Sequence, residues 1–207
     1  MPTSYFSHIG LIIDIMIRLK PKSILDVGVG YGKFGMLARE FVDYAHFQKR
    51  EIKIDGIEIF APYIQDGQRF YYDNIFNDDA LKIIPSLGRY DLILILDVLE
   101  HFSKANGERL LNECLKHGGH LIIVTPLEMG IQEAVYGNKN ERHLFQWKKK
   151  YLESLFPITT FYDPKSLIVM IGEKSEAIKK EIVAVKRREK LRAAFPWLRS
   201  FYRFLLK

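Results

Sequence analysis

The twelve residues ILDVGVGYGKFG (24–35) constrain this chain more than any others. A short apolar run ends in Asp26, and Gly28, Gly30 and Gly32 then alternate with other residues. Phe34, Leu37, Ala38, Phe41 and Val42 follow at helical spacing. The segment therefore reads as a buried strand, a tight turn and a helix. Glycine suits such a turn because it adopts positive φ and lets a ligand approach the backbone closely. Asp26, at the strand end, is placed to accept hydrogen bonds from an ammonium group or from loop amides. Gly30, Gly32 and Gly35 also match G-x-G-x-x-G, in which a helix N-terminus receives a pyrophosphate.

The rest of the chain repeats the alternation of strand and helix. Further strands are expected at 53–59, 69–75, 90–98 and 120–125, with helices at 5–19, 33–45, 79–87, 108–116 and 147–156. Residues 90–98, YDLILILDV, are apolar almost throughout, as a central parallel strand requires. His117-Gly118-Gly119 reads as a glycine C-cap. Residues 157–173 read as two strands turning at Asp163-Pro164-Lys165. The expected fold is α/β: a mostly parallel Rossmann-like sheet with helices on both faces and an antiparallel hairpin at its end.

Composition narrows the classes. With 207 residues, 48% of them hydrophobic, the chain suits one α/β domain. The single cysteine, Cys114, excludes an internal disulfide and a cysteine-rich metal site, and no other metal ligand set is read from the sequence. The N-terminus lacks the basic region and cleavage site of a signal peptide, so a cytoplasmic location is expected. Charge is uneven: residues 174–207 hold 11 Lys/Arg against 3 Glu, which leaves the preceding chain near neutral. The expected division is a domain at 1–173, with residues 1–19 as an N-terminal helix or lid, and a basic tail at 174–207.

Several acids stand at strand ends. Glu58 closes the second strand, where a carboxylate can accept both hydroxyls of a ribose. Asp78-Asp79 precede a helix. One is an N-cap candidate, and Asp79 is favoured as acceptor for an adenine amino group. Asp97, Glu100 and His101, in LDVLEHF (96–102), leave the carboxyl edge after the central strand. The irregular stretch 127–147 reads as a functional insert offering Glu128, Tyr136, Asn138, Glu141, Arg142, His143 and Trp147.

These features together resemble the class I S-adenosylmethionine (SAM) dependent methyltransferases. ILDVGVGYG is similar to that family's first motif, Glu58 to its second-strand acid, Asp79 to its adenine contact and DVLEHF to its fourth-strand motif. The resemblance covers residues 20–173 and is closest to the group with D-V-L-E-H after the fourth strand, which includes quinone, small-molecule and sugar methyltransferases. GKFG and GNKNERHLFQW (137–147) look like a prokaryotic branch sometimes encoded beside surface-polysaccharide genes. The resemblance implies seven strands with the last inserted antiparallel, SAM as cofactor, and Asp26, Gly28, Gly30, Gly32, Glu58, Asp79 and Asp97 as its contacts.

Methyl transfer from a sulfonium is an in-line displacement, so alignment supplies much of the acceleration. A hydroxyl acceptor also needs a base, and His101 and His143 are the candidates. Glu128, Tyr136, Arg142 and Trp147 are the candidates for binding a small-molecule or sugar-like acceptor. Tyr5 and His8 mark a helix able to cover the cofactor. The tail mixes basic residues with Phe195, Trp197, Phe201, Tyr202 and Phe204, which reads as a membrane-surface amphipathic helix able to reach a lipid-linked acceptor. Docking on a second copy of the chain is the alternative, and a nucleic-acid arm is disfavoured. The competing functions are a nicotinamide-dependent oxidoreductase and a non-catalytic partner subunit.

Overall fold

The computed structural model describes residues 4–45 and 50–194. Among these, seven strands form one sheet: β1 (Ser23–Val27), β2 (Lys53–Ile57), β3 (Asn74–Phe76), β4 (Tyr90–Leu96), β5 (Gly118–Pro126), β6 (Thr159–Phe161) and β7 (Ser166–Ile171). Their order is β3-β2-β1-β4-β5-β7-β6. The first five pair in parallel, and β7 runs antiparallel to both β5 and β6. The Asp163 carboxylate makes the last turn by accepting from the Lys165 and Ser166 amides, each at 2.9 Å.

The helices are α1 (Ile9–Leu19), α2 (Lys33–Ala38), α3 (Ala80–Ile83), α4 (Lys104–His117), α5 (Lys149–Leu155) and α6 (Ser175–Ala194). Because side chains alternate along a strand, β4 feeds both faces of the sheet. Leu92, Leu94 and Leu96 pack with Ile12, Ile15 and Met16 of α1. Ile93 and Ile95 pack with Leu110, Leu111 and Cys114 of α4. The buried cysteine is thus a core residue.

Several elements differ from the sequence expectation. The strand expected at 69–75 is replaced by a 3-10 turn, Asp66–Phe70, followed by the shorter β3. Only Gln68 and Tyr72 of this run are buried: Gln68 Nε2 donates to the Gly30 and Tyr63 carbonyls at 2.8 and 3.1 Å. The helix expected over 33–45 turns from α-helix to π-helix at Arg39–Tyr44. There the buried Arg39 guanidinium donates to Asp43 Oδ2 at 2.5 Å, to the Ile52 carbonyl at 2.7 Å and to the Tyr71 carbonyl at 2.8 Å. Pro85 tightens the end of the helix expected at 79–87 into a 3-10 turn, Ile84–Ser86. α4 begins four residues earlier than expected, with Ser103 as N-cap. Its end is not a left-handed glycine cap: Gly118 is extended and opens β5 directly. The first helix opens with a 3-10 turn, Phe6–His8, and α5 starts only at Lys149, after Trp147 has entered the core.

The packed unit also extends past residue 173. Ile178 and Ile182 of α6 join the cluster formed by α1, and Arg18 Nη1 meets Glu181 Oε2 at 3.0 Å. Residues 183–194 continue as exposed helix. The expected amphipathic segment 197–207, with Trp197, Phe201, Tyr202 and Phe204, and Phe195 beside it, lies outside the described residues. Among the described residues no helix is long and apolar enough to cross a membrane.

The Arg39–Asp43 pair is almost fully buried, with side chains 2% and 0% exposed. Removing one partner leaves a desolvated charge. Asp43→Ala is expected to lower the unfolding free energy by about 3–5 kcal/mol, read as a lower urea midpoint at unchanged slope.

Candidate functional site

The turn after β1 is built on three left-handed glycines, Gly28, Gly30 and Gly32, with φ of 81°, 53° and 80°. A side chain at Gly28 would also collide with Val98, its Cβ falling 2.3 Å from Cγ2. The turn is tied to β2 through Glu58, which is buried. Its Oε2 accepts from the Gly30 amide at 2.8 Å and its Oε1 from the Phe60 amide at 2.9 Å. Burial raises the Glu58 pKa, and these two amides pull it back. The amide that a dinucleotide's pyrophosphate would need in this loop is therefore already bonded to a carboxylate.

Asp26 is also buried. Its Oδ2 accepts from the Tyr72 hydroxyl at 2.6 Å, and that hydroxyl accepts from the Gly35 amide at 3.0 Å. Burial pushes Asp26 up to about 7, with Tyr72 lowering it and Glu58 raising it further. Gly35 is required by this contact, because a Cβ there would lie 2.2 Å from the Tyr72 ring. Tyr72 is the supporting residue that the sequence reading missed, and only its place in an aromatic run hinted at burial.

Asp97 leaves β4 with φ of 55°, a left-handed conformation uncommon outside glycine. Neither of its carboxylate oxygens has a hydrogen-bond partner within the described structure. His8 Nε2 lies 3.6 Å from Asp97 Oδ2. Burial raises Asp97 to about 6, lowered in part by the Ser4 side chain, whose approach falls short of a full hydrogen bond, and by the charge of Lys33. Burial likewise lowers the pKa of His8, whose Nδ1 lies 3.2 Å from Ser166 Oγ. Lys33 Nζ donates to the Ser4 carbonyl at 3.2 Å. Residues 4–8 thus lie along one side of the site, with His8 inside and Tyr5 half exposed.

Of the acidic pair after β3, Asp79 is the N-cap of α3, accepting from the Leu81 amide at 2.9 Å. Asp78 accepts from the Asp79 amide at 2.7 Å and meets Lys82 Nζ at 3.3 Å. Both acids line the cavity.

After Asp97 the chain makes a 3-10 turn, Leu99–His101, whose backbone holds the insert. The Glu100 carbonyl accepts from the Leu144 amide at 2.8 Å, and the Leu99 carbonyl accepts from Trp147 Nε1 at 2.9 Å. His101 faces the cavity, and its ring centroid lies 5.2 Å from that of His143. Burial lowers the pKa of His101, which keeps the ring neutral near pH 7.

The four acceptor candidates do not gather on the cavity wall. Trp147 is a core residue packed against Phe145, Tyr151 and Gly107. Tyr136 and Gly137, both at positive φ, form the exposed tip of a two-residue turn between Val135 and Asn138. Arg142 is exposed and paired with Glu133 at 3.0 Å, and Glu128 is exposed. Asn138, Glu141 and Leu144 are the insert residues that line the cavity.

The cavity holds about 300 Å³ and opens at the carboxyl ends of β1, β2 and β4, where the strand order reverses. Its wall carries Asp26, Glu58, Asp78, Asp79, Asp97 and Glu141 against Lys33. SAM carries a sulfonium and an ammonium against one carboxylate. An acidic wall with two unpartnered carboxylate oxygens fits that charge and disfavours a pyrophosphate.

Comparisons agree with this reading. The family described as a methyltransferase domain matches residues 10–171. A search of curated proteins returns no match. Among solved structures, the chain is similar to an O-methyltransferase family protein from Burkholderia thailandensis, with TM-score 0.56 and 11% identity. That match covers 81% of this chain but 57% of the other, so this chain spans little more than half of that protein. It is also similar to a SAM-dependent methyltransferase from Archaeoglobus fulgidus, with TM-score 0.56, 16% identity, and 79% and 94% of the two chains covered. Magnesium protoporphyrin IX methyltransferase from Synechocystis PCC 6803, solved with bound SAM, gives TM-score 0.53 and 15% identity over 78% and 76% of the chains. With the family match spanning most of its length, the chain belongs to the methyltransferase-domain family and shares the fold of the class I SAM-dependent methyltransferases.

Proposed function

We propose that this chain transfers a methyl group to an oxygen or nitrogen of a small-molecule or sugar-like acceptor held under the insert 127–147. The observation that carries the placement of the cofactor is the Asp97 carboxylate, buried at the strand-order switch with both oxygens unpartnered. The cofactor supplies an electrophilic methyl group on a positively charged sulfur. Asp97 accepts from its ammonium group, with Asp26 behind the loop. Glu58 accepts from the ribose hydroxyls with the lone pairs that Gly30 and Phe60 leave unused. Asp79 accepts from the adenine amine with the oxygen not used in capping α3. Gly28, Gly30 and Gly32 let the loop backbone pack against the ligand.

On this reading Asn138 and Glu141 orient the acceptor beside His101, and Leu144 excludes water. Asp97→Asn is expected to weaken SAM binding about 10- to 100-fold, the equivalent of one charge-assisted hydrogen bond. Isothermal titration checks this. Wild-type protein that takes up NAD and no SAM would overturn the placement.

Asp26 also predicts a pH dependence of the ligand-free protein. Its pKa of about 7 lies above the ordinary carboxylate value, so the folded state holds a proton that the unfolded state has lost between about pH 4 and 7. Stability from this group is therefore full below that window and declines as pH rises through it, by at most about 1.4 kcal/mol per unit. In urea unfolding at a series of pH values, Asp26→Asn should remove this component of the decline.

The basic tail is proposed as a peripheral membrane contact that brings a lipid-linked acceptor to the site. The exposed helix beyond Ile182, which carries Lys186, Arg187, Arg188, Lys190 and Arg192, supports this. The chain should sediment with anionic vesicles at low salt and be released by high salt. Deletion of 183–207 spares the residues packed on α1 and should abolish sedimentation. Sedimentation that survives the deletion removes the tail from this role.

A further inference from the structure

We infer that Glu100, His101 and His143 bind one divalent transition-metal ion, whose open positions hold the oxygen of a hydroxyl acceptor. The ligand atoms of the three residues lie within 4.8 Å of one another, a looser cluster than the roughly 3.5 Å spacing that bonds of about 2.0–2.2 Å to a common tetrahedral ion require. Small side-chain rotations close the difference.

The hydrogen bonds around the cluster prepare it for a cation. His101 Nδ1 lies 3.1 Å from the Arg142 carbonyl, and His143 Nδ1 lies 2.8 Å from the Gly130 carbonyl. A carbonyl can only accept, so each ring carries its proton on Nδ1 and presents a bare lone pair at Nε2. This is the arrangement in which backbone carbonyls orient metal-bound histidines. The third member, Glu100, is 2% exposed, and its Oε2 has no hydrogen-bond partner. Burial and the nearby Asp97 raise the Glu100 carboxyl to about 8, so in the ligand-free protein it holds a proton that a bound cation would displace. Leaving the buried Glu100 oxygen without a partner is costly, and a cation shared with the two half-buried imidazoles resolves it.

The site is held in place by backbone. The Glu100 carbonyl accepts from the Leu144 and Phe145 amides at 2.8 and 3.3 Å, which locks the turn bearing Glu100 and His101 to the segment bearing His143. Two imidazole donors favour zinc or iron over magnesium or calcium, which prefer oxygen, and the carboxylate beside them also admits manganese. Three protein donors leave positions open, and His101 places them on the cavity.

This role deepens the proposed methyl transfer and rests on it. A hydroxyl bound to the ion loses its proton to water at lower pH than a free one. Its oxygen lone pair forms the new bond to the methyl carbon as the carbon–sulfur bond breaks. The electrons of that bond go to sulfur, which becomes neutral. His101 and His143 then act as ligands and not as general bases, and the acceptor class narrows from oxygen or nitrogen to a hydroxyl.

The test uses the full chain stripped with a chelator and dialysed separately against Zn²⁺, Mn²⁺ and Mg²⁺, with bound metal counted. The expected result is one Zn²⁺ or Mn²⁺ per chain with Mg²⁺ at least tenfold weaker, and a visible absorption band with Co²⁺. His143→Ala and Glu100→Gln should each weaken uptake at least tenfold. Their S-adenosylhomocysteine affinity should stay within about twofold of wild type, which reports an intact fold. Water proton relaxation on the Mn²⁺ form should show inner-sphere water, the position that the acceptor takes. No stoichiometric uptake by wild type, uptake that survives both substitutions, or a coordination sphere closed to water overturns the inference. Failure of wild type to bind S-adenosylhomocysteine would instead strike the cofactor placement while leaving the metal result standing.

Discussion

The Glu58 carboxylate bridging the Gly30 and Phe60 amides is the interaction on which the site depends. It fastens the loop of one parallel strand to the end of its neighbour, so the glycine turn cannot drift. It also sets the sign of the pocket. A loop with free amides attracts phosphates, whereas this loop has surrendered an amide to a carboxylate and presents acid to the ligand. One hydrogen-bonded side chain thereby separates two chemistries that share a fold and a glycine pattern.

The remaining acids are positioned at a cost to the ligand-free molecule. Asp26 and Asp97 are both buried with raised pKa values, and Asp97 occupies a backbone conformation better suited to glycine. Burying a carboxylate without a full set of partners opposes folding. A cationic ligand reverses that penalty, so the same residues that weaken the ligand-free protein favour the complex. The insert is placed differently, through backbone carbonyls of the turn after β4 and the indole of Trp147.

Much of the architecture was legible because it rests on local pattern. The continuous apolar β4, the alternating glycines and the turn at Asp163 each declare themselves within a dozen residues. Asp26, Glu58 and Asp97 could be placed on the cavity wall because each stands at or beside a strand end, and strand ends converge on one edge of the sheet, while Asp79 could be placed because it opens the helix after β3. Residues that answer to distant partners were not legible. Tyr72 supports Asp26 across 46 positions, and nothing beside it in sequence says so. Trp147, an aromatic in a polar stretch, looked like a substrate contact until the Leu99 carbonyl was found at its indole nitrogen. The third strand was misplaced because RFYY has strand-forming residues, of which only Tyr72 is buried, where it supports the glycine loop.

The threading of β7 between β5 and β6 has a consequence for how the chain matures. Ser7 reaches Asp163, and His8 reaches Ser166, across 156 and 158 positions. The wall beside Asp97 is therefore sewn to the last turn of the sheet. On a ribosome the first five strands emerge with β5 lacking its antiparallel partner, and the opening residues have nothing to fasten to. Contacts of such long sequence separation form late and slowly. The nascent chain thus passes through synthesis with its ligand cradle ajar, and closure waits for the final hairpin.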